Sequence, residues 1–407
     1  MPTVDRRCRQ SVCSEAARAT ILLLGIISFF CISVPAQDLQ GRFYPEKDSY
    51  MVGEPVILNT EIKNTGKEVV YINAKDPDKC LDSYEFNVSG PSSVCGAKWD
   101  GGCGDEQFAM VPGDSYKGQW PLNFWYQFRH EGKYDVSATR HIPIRSIRGD
   151  LQDFTFSSEF KVDLTPTDPV RVQSILQDFE RNLHSNDPDV RHAALDVLST
   201  TSASYFQGIA LTLSREKDPF VVLHAVGALG RINTPETRAA LADVLGSGRA
   251  TTEEEISGRC RAIEALGHSG DTSYLGLIQQ YVDDKNERIQ LVAMVAVAEL
   301  GKTEAVLQLQ RVFFSPDATA RKNAAYALRY STAPEAVEAL INAITDKDVK
   351  VQERVLTSLQ ELTGQRVGVG TADAASAEKT QNAWRSWWEA HKDKLTLPEL
   401  QFLCEMK

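Results

Sequence analysis

The sequence has no excess of basic residues. Its 407 residues include 44 lysines and arginines against 55 aspartates and glutamates, and the formal net charge is -11. Binding to nucleic acid without base selectivity needs basic stripes that neutralise phosphate groups. The charge balance therefore argues against a nucleic-acid partner, and its main expected effect is solubility.

Motifs typical of catalysis or metal binding are also missing. The sequence contains no His-Glu-x-x-His motif, no Gly-x-Ser-x-Gly elbow and no phosphate-binding loop between a strand and a helix. Among the seven histidines, the one His-Glu dipeptide is His130-Glu131. A catalytic site needs a nucleophile with a base, paired acids or convergent metal ligands. We therefore predict no catalytic residue, no metal site and no cofactor.

The N-terminal apolar run is short for a membrane span. It extends from Ile21 to Val34, whereas a helix needs roughly 20 residues to cross a bilayer. Four arginines precede the run and Pro35-Ala36 follows it, which predicts a secretory signal peptide over residues 1–36 with cleavage after Ala36. An uncleaved anchor is the alternative. With cleavage, we expect export to the periplasm or the extracellular medium and no integral membrane span.

Export changes the expectation for the cysteines. Those beyond the predicted signal are Cys80, Cys95, Cys103, Cys260 and Cys404. An oxidising compartment favours disulfides, and Cys95 and Cys103 flank a short glycine-containing segment, so they are the candidate pair. A zinc site formed by Cys80, Cys95 and Cys103 is the alternative, although no histidine or Cys-x-x-Cys pair completes it. The states of Cys80, Cys260 and Cys404 stay open.

Residues 38–165 have the pattern of β-strands. Short alternating or β-branched runs are separated by Gly, Pro, Asn and Asp. About seven strands in this length predict an antiparallel sandwich. The extended run Val56–Lys63 is followed by turn residues and a second run, Glu68–Ile72, which predicts a hairpin or a crossing between sheets.

Three segments of this part resemble the Ig-like β-sandwich modules of secreted bacterial proteins: Tyr50–Val56, Lys63–Gly66 and Glu131–Val136. The resemblance implies that Tyr134 lies buried at the start of a late strand, with its hydroxyl bonded to nearby backbone. An ordinary core tyrosine is the alternative.

An aromatic cluster lies near the end of the β-rich part: Trp120, Phe124, Trp125, Tyr126 and Phe128. Alternation along an extended chain would bury Phe124, Tyr126 and Phe128 on one face. We therefore predict core packing, with a carbohydrate- or peptide-binding platform as the alternative.

The pattern becomes helical after Thr165-Pro166, and it repeats. A small residue recurs four positions before a leucine in Ala194/Leu198, Ala225/Leu229, Ala262/Leu266, Ala296/Leu300, Ala324/Leu328 and, with valine, Val355/Leu359. The spacing of 28 to 37 residues predicts an α-helical solenoid over residues 168–362. Proline after a capping residue predicts helix starts at Pro169, Pro188, Pro219, Pro235 and Pro316, and Pro334 predicts another without a capping side chain.

The best copy of the repeat resembles the HEAT repeat, in particular the short bacterial type also found in phycobilin-lyase-like proteins. The matching residues are Asp187, Val190, Arg191 and Ala194. Arg259 and Arg321 keep the basic position, whereas Gln290 and Gln352 do not. The resemblance therefore implies irregular stacking near Asp283–Gln290.

The C-terminal part is expected to close the repeat. Residues 363–378 are rich in small side chains and predict a linker. Residues 379–407 predict a Trp-rich helix and tail in which Trp384 and Trp388 share a face. We expect this helix to cap the open apolar edge of the last repeat, with a ligand-binding aromatic box as the alternative.

Together these patterns predict a multidomain chain, an antiparallel Ig-like β-sandwich followed by a HEAT-type α-helical solenoid. We expect an exported, non-catalytic scaffold or adaptor that binds a protein or peptide on the inner face of the solenoid. The candidate partner-binding residues are His192, Asp196, His224 and Glu264. One alternative is a module in the β-sandwich that binds an envelope polysaccharide or inhibits a peptidase. A more remote alternative is a lyase-like enzyme acting on a small cofactor.

Overall fold

The computed structural model describes residues 39–72, 84–91, 108–146, 151–246, 248, 250–371 and 373–397. The predicted signal peptide, Cys80, the candidate pair Cys95 and Cys103, and Cys404 lie outside the described residues. Cys260 is described, and it is a buried free thiol. No helix in the described part of the chain is long and apolar enough to cross a membrane.

The described β-rich part contains nine strands. They are β1 (Leu39–Pro45), β2 (Ser49–Met51), β3 (Ile57–Asn64), β4 (Val70–Ile72), β5 (Tyr84–Ser89), β6 (Phe108–Met110), β7 (Ser115–Pro121), β8 (Gly132–Ser146) and β9 (Leu151–Thr165). We call this part the β-region.

The strands form two sheets. One has the order β1-β3-β7, and the other has the order β2-β9-β8-β4-β6 with β5 also paired to β8. Because β3 and β4 belong to different sheets, the chain between them crosses from sheet to sheet and does not form a hairpin. The prediction of an entirely antiparallel arrangement is wrong at β2, which pairs parallel to β9 with Tyr50 opposite Leu164. This partner is more than 100 residues away in the chain, so the local pattern of β2 did not specify the strand direction.

The two sheets share one apolar core. The ring of Phe43 on β1 stacks on that of Phe156 on β9, with centroids 4.8 Å apart. Gly41 permits this approach, since a Cβ atom there would lie 2.3 Å from the Phe156 ring. Tyr134 is fully buried, and its hydroxyl donates to the carbonyl oxygen of His130 at 3.0 Å.

The aromatic cluster does not follow the predicted alternation. Leu122–Phe124 forms a 3-10 turn, so the side chains that follow it do not alternate as in a strand. Trp125, Tyr126 and Phe128 are all buried in the core, whereas Phe124 and Trp120 are only partly buried.

The rest of the described chain contains thirteen α-helices. They are α1 (Pro169–Leu183), α2 (Pro188–Thr200), α3 (Gln207–Leu213), α4 (Pro219–Ile232), α5 (Pro235–Gly246), α6 (Glu253–His268), α7 (Leu275–Ile278), α8 (Glu287–Leu300), α9 (Lys302–Val312), α10 (Ala318–Leu328), α11 (Glu335–Asn342), α12 (Val349–Thr363) and α13 (Ala374–His391).

The helices form a repeat of two alternating layers. Helices α2, α4, α6, α8, α10 and α12 pack side by side in chain order, and we call them the inner layer. Helices α3, α5, α7, α9 and α11 connect them and form the outer layer. A single apolar core runs through the repeat from Phe179 to Leu397.

Aspartate caps begin many of these helices, as local chemistry predicts. The side chains of Asp168, Asp187 and Asp218 each accept a bond from the backbone N–H two residues later. The predicted start at Pro316 is wrong. Helix α10 begins at Ala318, because the carboxylate of Asp317 accepts from the N–H of Thr319 at 2.9 Å.

The expected irregular stacking near Asp283–Gln290 is also wrong for the inner layer. The side chain of Asn286 accepts from the N–H groups of Arg288 and Ile289 and caps α8, which packs between α6 and α10. The irregularity lies instead in the outer layer, where α7 spans Leu275–Ile278 and is flanked by 3-10 turns at Thr272–Tyr274 and Gln279–Tyr281.

The last helix begins earlier than predicted. Asp373 caps α13 by accepting from the N–H of Ser376 at 2.7 Å, so Ala374 to Glu378 are helical and do not belong to a linker over 363–378. The preceding loop is tied to this helix, because the Thr380 hydroxyl accepts from the N–H of Val369 at 3.1 Å and donates to the Gly370 carbonyl at 2.7 Å.

Candidate functional site

The candidate site is the face of the inner layer, and small residues determine how closely its helices approach. A Cβ atom on Gly230 of α4 would lie 2.7 Å from the Cβ of Ala265 on α6, and one on Gly267 would lie 2.7 Å from the Cβ of Ala296 on α8. At these positions the backbones of neighbouring helices therefore approach each other closely. Longer polar side chains on the same helices reach across to the next helix.

The first cluster of this face joins α2 to α4. The Asp196 carboxylate lies 3.2 Å from Nε2 of His224, whose Nδ1 donates to the Phe220 carbonyl at 2.7 Å. The Phe220 ring packs against both histidines, with centroids 4.7 Å from His192 and 4.3 Å from His224. This arrangement brings His192, Asp196 and His224, three of the four candidate residues, into one group.

The second cluster joins α6 to α8. Nε2 of His268 lies 3.3 Å from a carboxylate oxygen of Glu299, and Glu264 lies one turn before His268. Burial raises the pKa of Glu264 above its usual value. Burial opposes protonation of His268, but the hydrogen bond and charge of Glu299, together with the charge of Glu264, raise its pKa on balance.

Arg231, near the end of α4, reaches back to α2. Nε of Arg231 donates to the Ser199 carbonyl at 3.1 Å. Burial, with a smaller contribution from the nearby charge of Arg261, lowers the pKa of Arg231 to about 10. The group remains cationic at neutral pH, so this part of the face carries positive charge.

The third cluster joins α10 to α12 and was not predicted from the sequence. The guanidinium groups of Arg329 and Arg354 lie 4.1 and 5.2 Å from the centroid of the Tyr326 ring. Arg329 also pairs with Glu361 at 2.7 Å and donates to the Tyr330 hydroxyl. Tyr326 lies in the last turn of α10, and Arg329 and Tyr330 follow the end of that helix, so no helical spacing in the sequence marked this group.

The candidate residue Glu264 lies apart from the other three, in the second cluster. It lines a small cavity of about 60 Å³ together with His268, Glu299 and Tyr326. This cavity connects the second cluster to the third. The inner layer thus carries polar and aromatic side chains from α2 to α12, although the candidate residues mark only its first half.

A larger cavity lies where the β-region meets α1 and α2. This junction cleft has a volume of about 430 Å³, within the usual range of roughly 300–1,000 Å³ for ligand pockets. Its aromatic lining consists of Trp120, Phe124, Phe179 and Phe206. Asp196 also lines the cleft, so the cleft adjoins the first cluster of the inner layer.

Specific contacts hold the walls of the junction cleft together. The carboxylate of Glu54 is 3 % exposed and lies 2.7 Å from both Arg171 of α1 and Lys47 of the β-region. The Tyr205 hydroxyl donates to the Gly53 carbonyl at 2.8 Å. Gly53 has a φ of 85°, which favours glycine. The cleft is therefore preformed between two bonded surfaces.

Charged, aromatic and hydrogen-bonding side chains make up these sites. Within the described ranges, no group of three or more His, Cys, Asp and Glu side chains is placed to hold a metal ion. The inner layer offers paired charges, aromatic rings and hydrogen-bonding groups, which are the components of protein interfaces.

Comparison with known proteins supports the repeat. Residues 320–346 match the family model described as a PBS lyase HEAT-like repeat, a segment that contains most of α10 and all of α11. The helical part of the chain is a helical repeat. No curated protein matches the chain at a significant level.

Several solved structures are similar to the repeat at low identity. The complex of CpcE and CpcF of phycocyanin lyase from Nostoc sp. is 20% identical, covers 54% of this chain and 83% of that chain, and gives a TM-score of 0.30. Computationally designed armadillo repeat proteins for modular peptide recognition are 18% identical over 46% of this chain and 99% of that chain, with a TM-score of 0.31. Human deoxyhypusine hydroxylase is 17% identical over 55% of this chain and 98% of that chain, with a TM-score of 0.25.

Proposed function

We propose that this chain is an exported, non-catalytic scaffold or adaptor that binds a protein or peptide along the inner layer of its helical repeat. The observation that carries the proposal is the continuous series of polar and aromatic clusters on that layer, from Asp196 on α2 to Glu361 on α12. Stacked repeats offer an extended surface of this kind to partners.

The side chains of this surface are held in place before a partner arrives. Each cluster bridges two neighbouring inner helices, as in the pairs Asp196–His224, His268–Glu299 and Arg329–Glu361. Side chains that are already ordered lose less conformational entropy on binding. This preorganisation favours selective recognition of one partner.

The third cluster is the proposed energetic centre of the interface. Tyrosine and arginine are enriched among residues that dominate binding energy, and Tyr326 packs beneath the guanidinium groups of Arg329 and Arg354. A carboxylate or backbone carbonyl of the partner would accept bonds from these arginines while an apolar group covers the tyrosine ring.

Export and the finer fold assignment belong to the same proposal. Export rests on the arginines, the apolar run and Pro35-Ala36 at the N-terminus. The Ig-like assignment of the β-region is supported by the bond from the buried Tyr134 hydroxyl to the His130 carbonyl. N-terminal sequencing of the protein recovered from the periplasm or medium should begin at Gln37.

The binding proposal is tested by charge reversal on the inner layer. The full chain and its Arg354→Glu variant serve as baits for affinity capture from the exported fraction of native cells, followed by a binding titration with the recovered partner. We expect Arg354→Glu to weaken that partner's binding at least about tenfold, the effect of losing about 1.4 kcal/mol.

Arg311→Glu is the matched control. Arg311 is an exposed arginine on α9 of the outer layer, so the same charge reversal there should leave the affinity unchanged. Equal losses in both variants would indicate an effect of net charge, and no loss in Arg354→Glu would reject the inner layer as the binding surface.

A further inference from the structure

The junction cleft adjoins the inner layer at α2, which supplies part of its lining. Its lining combines apolar side chains, which we call the floor, with charged side chains. The floor includes the paired rings of Phe179 and Phe206, whose centroids are 5.3 Å apart at an angle of 78°. Phe124 and Trp120 face this floor from the β-region and remain partly accessible. Such a floor suits a large apolar group.

The charges around the cleft are mainly acidic. Its charged lining residues are Glu46, Lys47, Glu54, Asp178 and Asp196. Glu54 is neutralised by Lys47 and Arg171. Asp178 contacts Arg181, and Asp196 contacts His224. Glu46 is exposed and has no ion pair within the described residues. Four of the five charged lining residues are acidic, so the lining favours a cationic ligand group.

The junction cleft lies between the β-region and helices α1 and α2, and polar contacts join these two surfaces. Arg171 reaches Glu54 and also donates to the Ser49 carbonyl at 3.1 Å. On another side of the junction, Nε2 of Gln127 donates to the Thr200 carbonyl at 3.4 Å. These bonds keep α1 and α2 at a defined distance from the β-region, so the cleft does not depend on a ligand for its shape.

We propose that the junction cleft binds a peptide segment in which a large apolar side chain, aromatic or aliphatic, stands next to a lysine or arginine. The apolar side chain packs among Trp120, Phe124 and Phe179, and the cation lies beside Glu46 and Asp178. Taking a peptide as the ligand rests on the proposed function, since Asp196 connects the cleft to the first cluster of the inner layer.

Ala193 offers a way to fill the cleft without removing a core contact. It lines the cleft and is exposed on α2, so the substitution Ala193→Trp would occupy the ligand's volume. Ala239 is an exposed alanine on α5 that does not line the cleft. Ala239→Trp is therefore the matched control for surface hydrophobicity and for helix propensity.

The test uses the full chain and random short peptides displayed on phage. Selection on the wild-type protein should enrich sequences that pair an aromatic or large aliphatic residue with a neighbouring lysine or arginine. Fluorescence anisotropy with the corresponding synthetic peptides should then show binding at least about tenfold weaker to Ala193→Trp and unchanged binding to Ala239→Trp.

Charge variants examine the cationic part of the proposal. Asp178→Lys should weaken the selected peptides about fivefold or more at low salt, with a smaller effect at high salt because ions screen exposed charges. Glu180→Lys, an exposed change on the same helix outside the cleft, should have little effect. Enrichment of acidic or purely apolar peptides would overturn the charge assignment.

Three outcomes would overturn the site itself. They are failure to enrich any peptide, binding to Ala193→Trp as tight as to the wild type without a change in stability, or the same unchanged binding with a gain in stability, which would identify the cleft as a packing defect. Arg354→Glu separates this proposal from the inner-layer proposal. Cleft peptides should bind that variant normally, whereas an inner-layer partner should not.

Discussion

At the scale of single residues, one hydrogen bond recurs before the inner helices. Three side chains at the same repeat position donate to the backbone carbonyl six residues earlier. These bonds join Arg191 to Ser185, Arg321 to Ser315 and Gln352 to Asp346, at 2.5, 2.9 and 2.6 Å. Glutamine thus preserves the bond to the turn although the charge is lost. The loss of arginine in the sequence therefore does not disrupt the stacking at α12.

Arg321 also carries a buried ion pair that the other two positions lack. Its side chain is 2 % exposed and that of Asp346 is 8 % exposed. Nε and Nη2 reach the two carboxylate oxygens at 2.7 and 2.9 Å. Removing one member of a buried pair leaves the other charge without compensation.

We expect Arg321→Ala to lower the free energy of unfolding by about 3–5 kcal/mol. The buried Asp346 carboxylate would lose its ion-pair partner and keep only the bond from the N–H of Asp348, and two turn carbonyls would lose a donor. Urea denaturation followed by circular dichroism measures the change. Gln352→Ala removes only the bond to the turn and should cost about 0.5–1.5 kcal/mol. Equal costs would show that the ion pair adds no stability.

At the scale of elements, small residues lie where neighbouring inner helices meet, and aromatic residues of α13 cover the C-terminal end of the helical core. The inner layer depends on close approaches such as Gly267 against Ala296. At the C-terminal end, α13 packs on α11, where Nε1 of Trp388 donates to Glu338 at 3.1 Å and Nε2 of Gln381 donates to the Ile341 carbonyl at 2.9 Å. Trp384 and Trp388 are buried in the helical core.

Trp384→Ala should destabilise the C-terminal end of the repeat. Truncating a buried aromatic side chain costs about 3–5 kcal/mol, because apolar contacts are lost and a cavity remains. Trp387 is partly exposed on the same helix and stacks on His391 at 4.7 Å, so Trp387→Ala should cost much less. Thermal denaturation of both variants tests this difference. Similar melting temperatures would contradict a closing role for the buried face of α13.

At the scale of the whole molecule, the β-region and the helical repeat are bonded to each other. The described residues from Leu39 onward form one compact unit. The carboxylate of Glu54 receives bonds from Lys47, Arg171 and the N–H of Met51. Interfaces within a chain permit domain motion unless they are well bonded. These contacts predict that the two parts unfold together.

Glu54→Ala should uncouple the two parts. Each lost hydrogen bond to a charged group is worth about 1.5–3 kcal/mol, and the buried N–H of Met51 would lose its acceptor. Calorimetry should then resolve two transitions where the wild type has one, and proteases should cleave faster near Thr165. Glu61→Ala removes a carboxylate that pairs with Arg42 inside the β-region, and it should leave a single transition. Two transitions in the wild type would contradict the coupling.

Much of the helical part could be predicted from the sequence, because its determinants are local. Asp168, Asp187 and Asp218 cap their helices by accepting from backbone N–H groups two residues away. The spacing of four residues between the small residue and the leucine places both side chains on one face of a helix. The errors at α10 and α13 came from caps at Asp317 and Asp373 that lie beside other plausible start signals.

The candidate site was predicted only in part. His192, Asp196 and His224 do meet in one cluster, because α2 and α4 are neighbouring inner helices. The third cluster was missed because arginines and tyrosines on a helix surface have no distinctive pattern until neighbouring helices bring Arg354 over Tyr326.

By itself, the sequence determined the order of a strand-rich part and a helical repeat, the period of that repeat and the starts of α1, α2, α4 and α5. Only the tertiary structure decided that β2 runs parallel to β9, that Glu54 bonds to Arg171, and that Trp120 and Phe124 line a cleft with Phe179. Capping and periodicity act within a turn or two of helix, whereas these contacts join residues more than 50 positions apart, whose proximity only the folded chain creates.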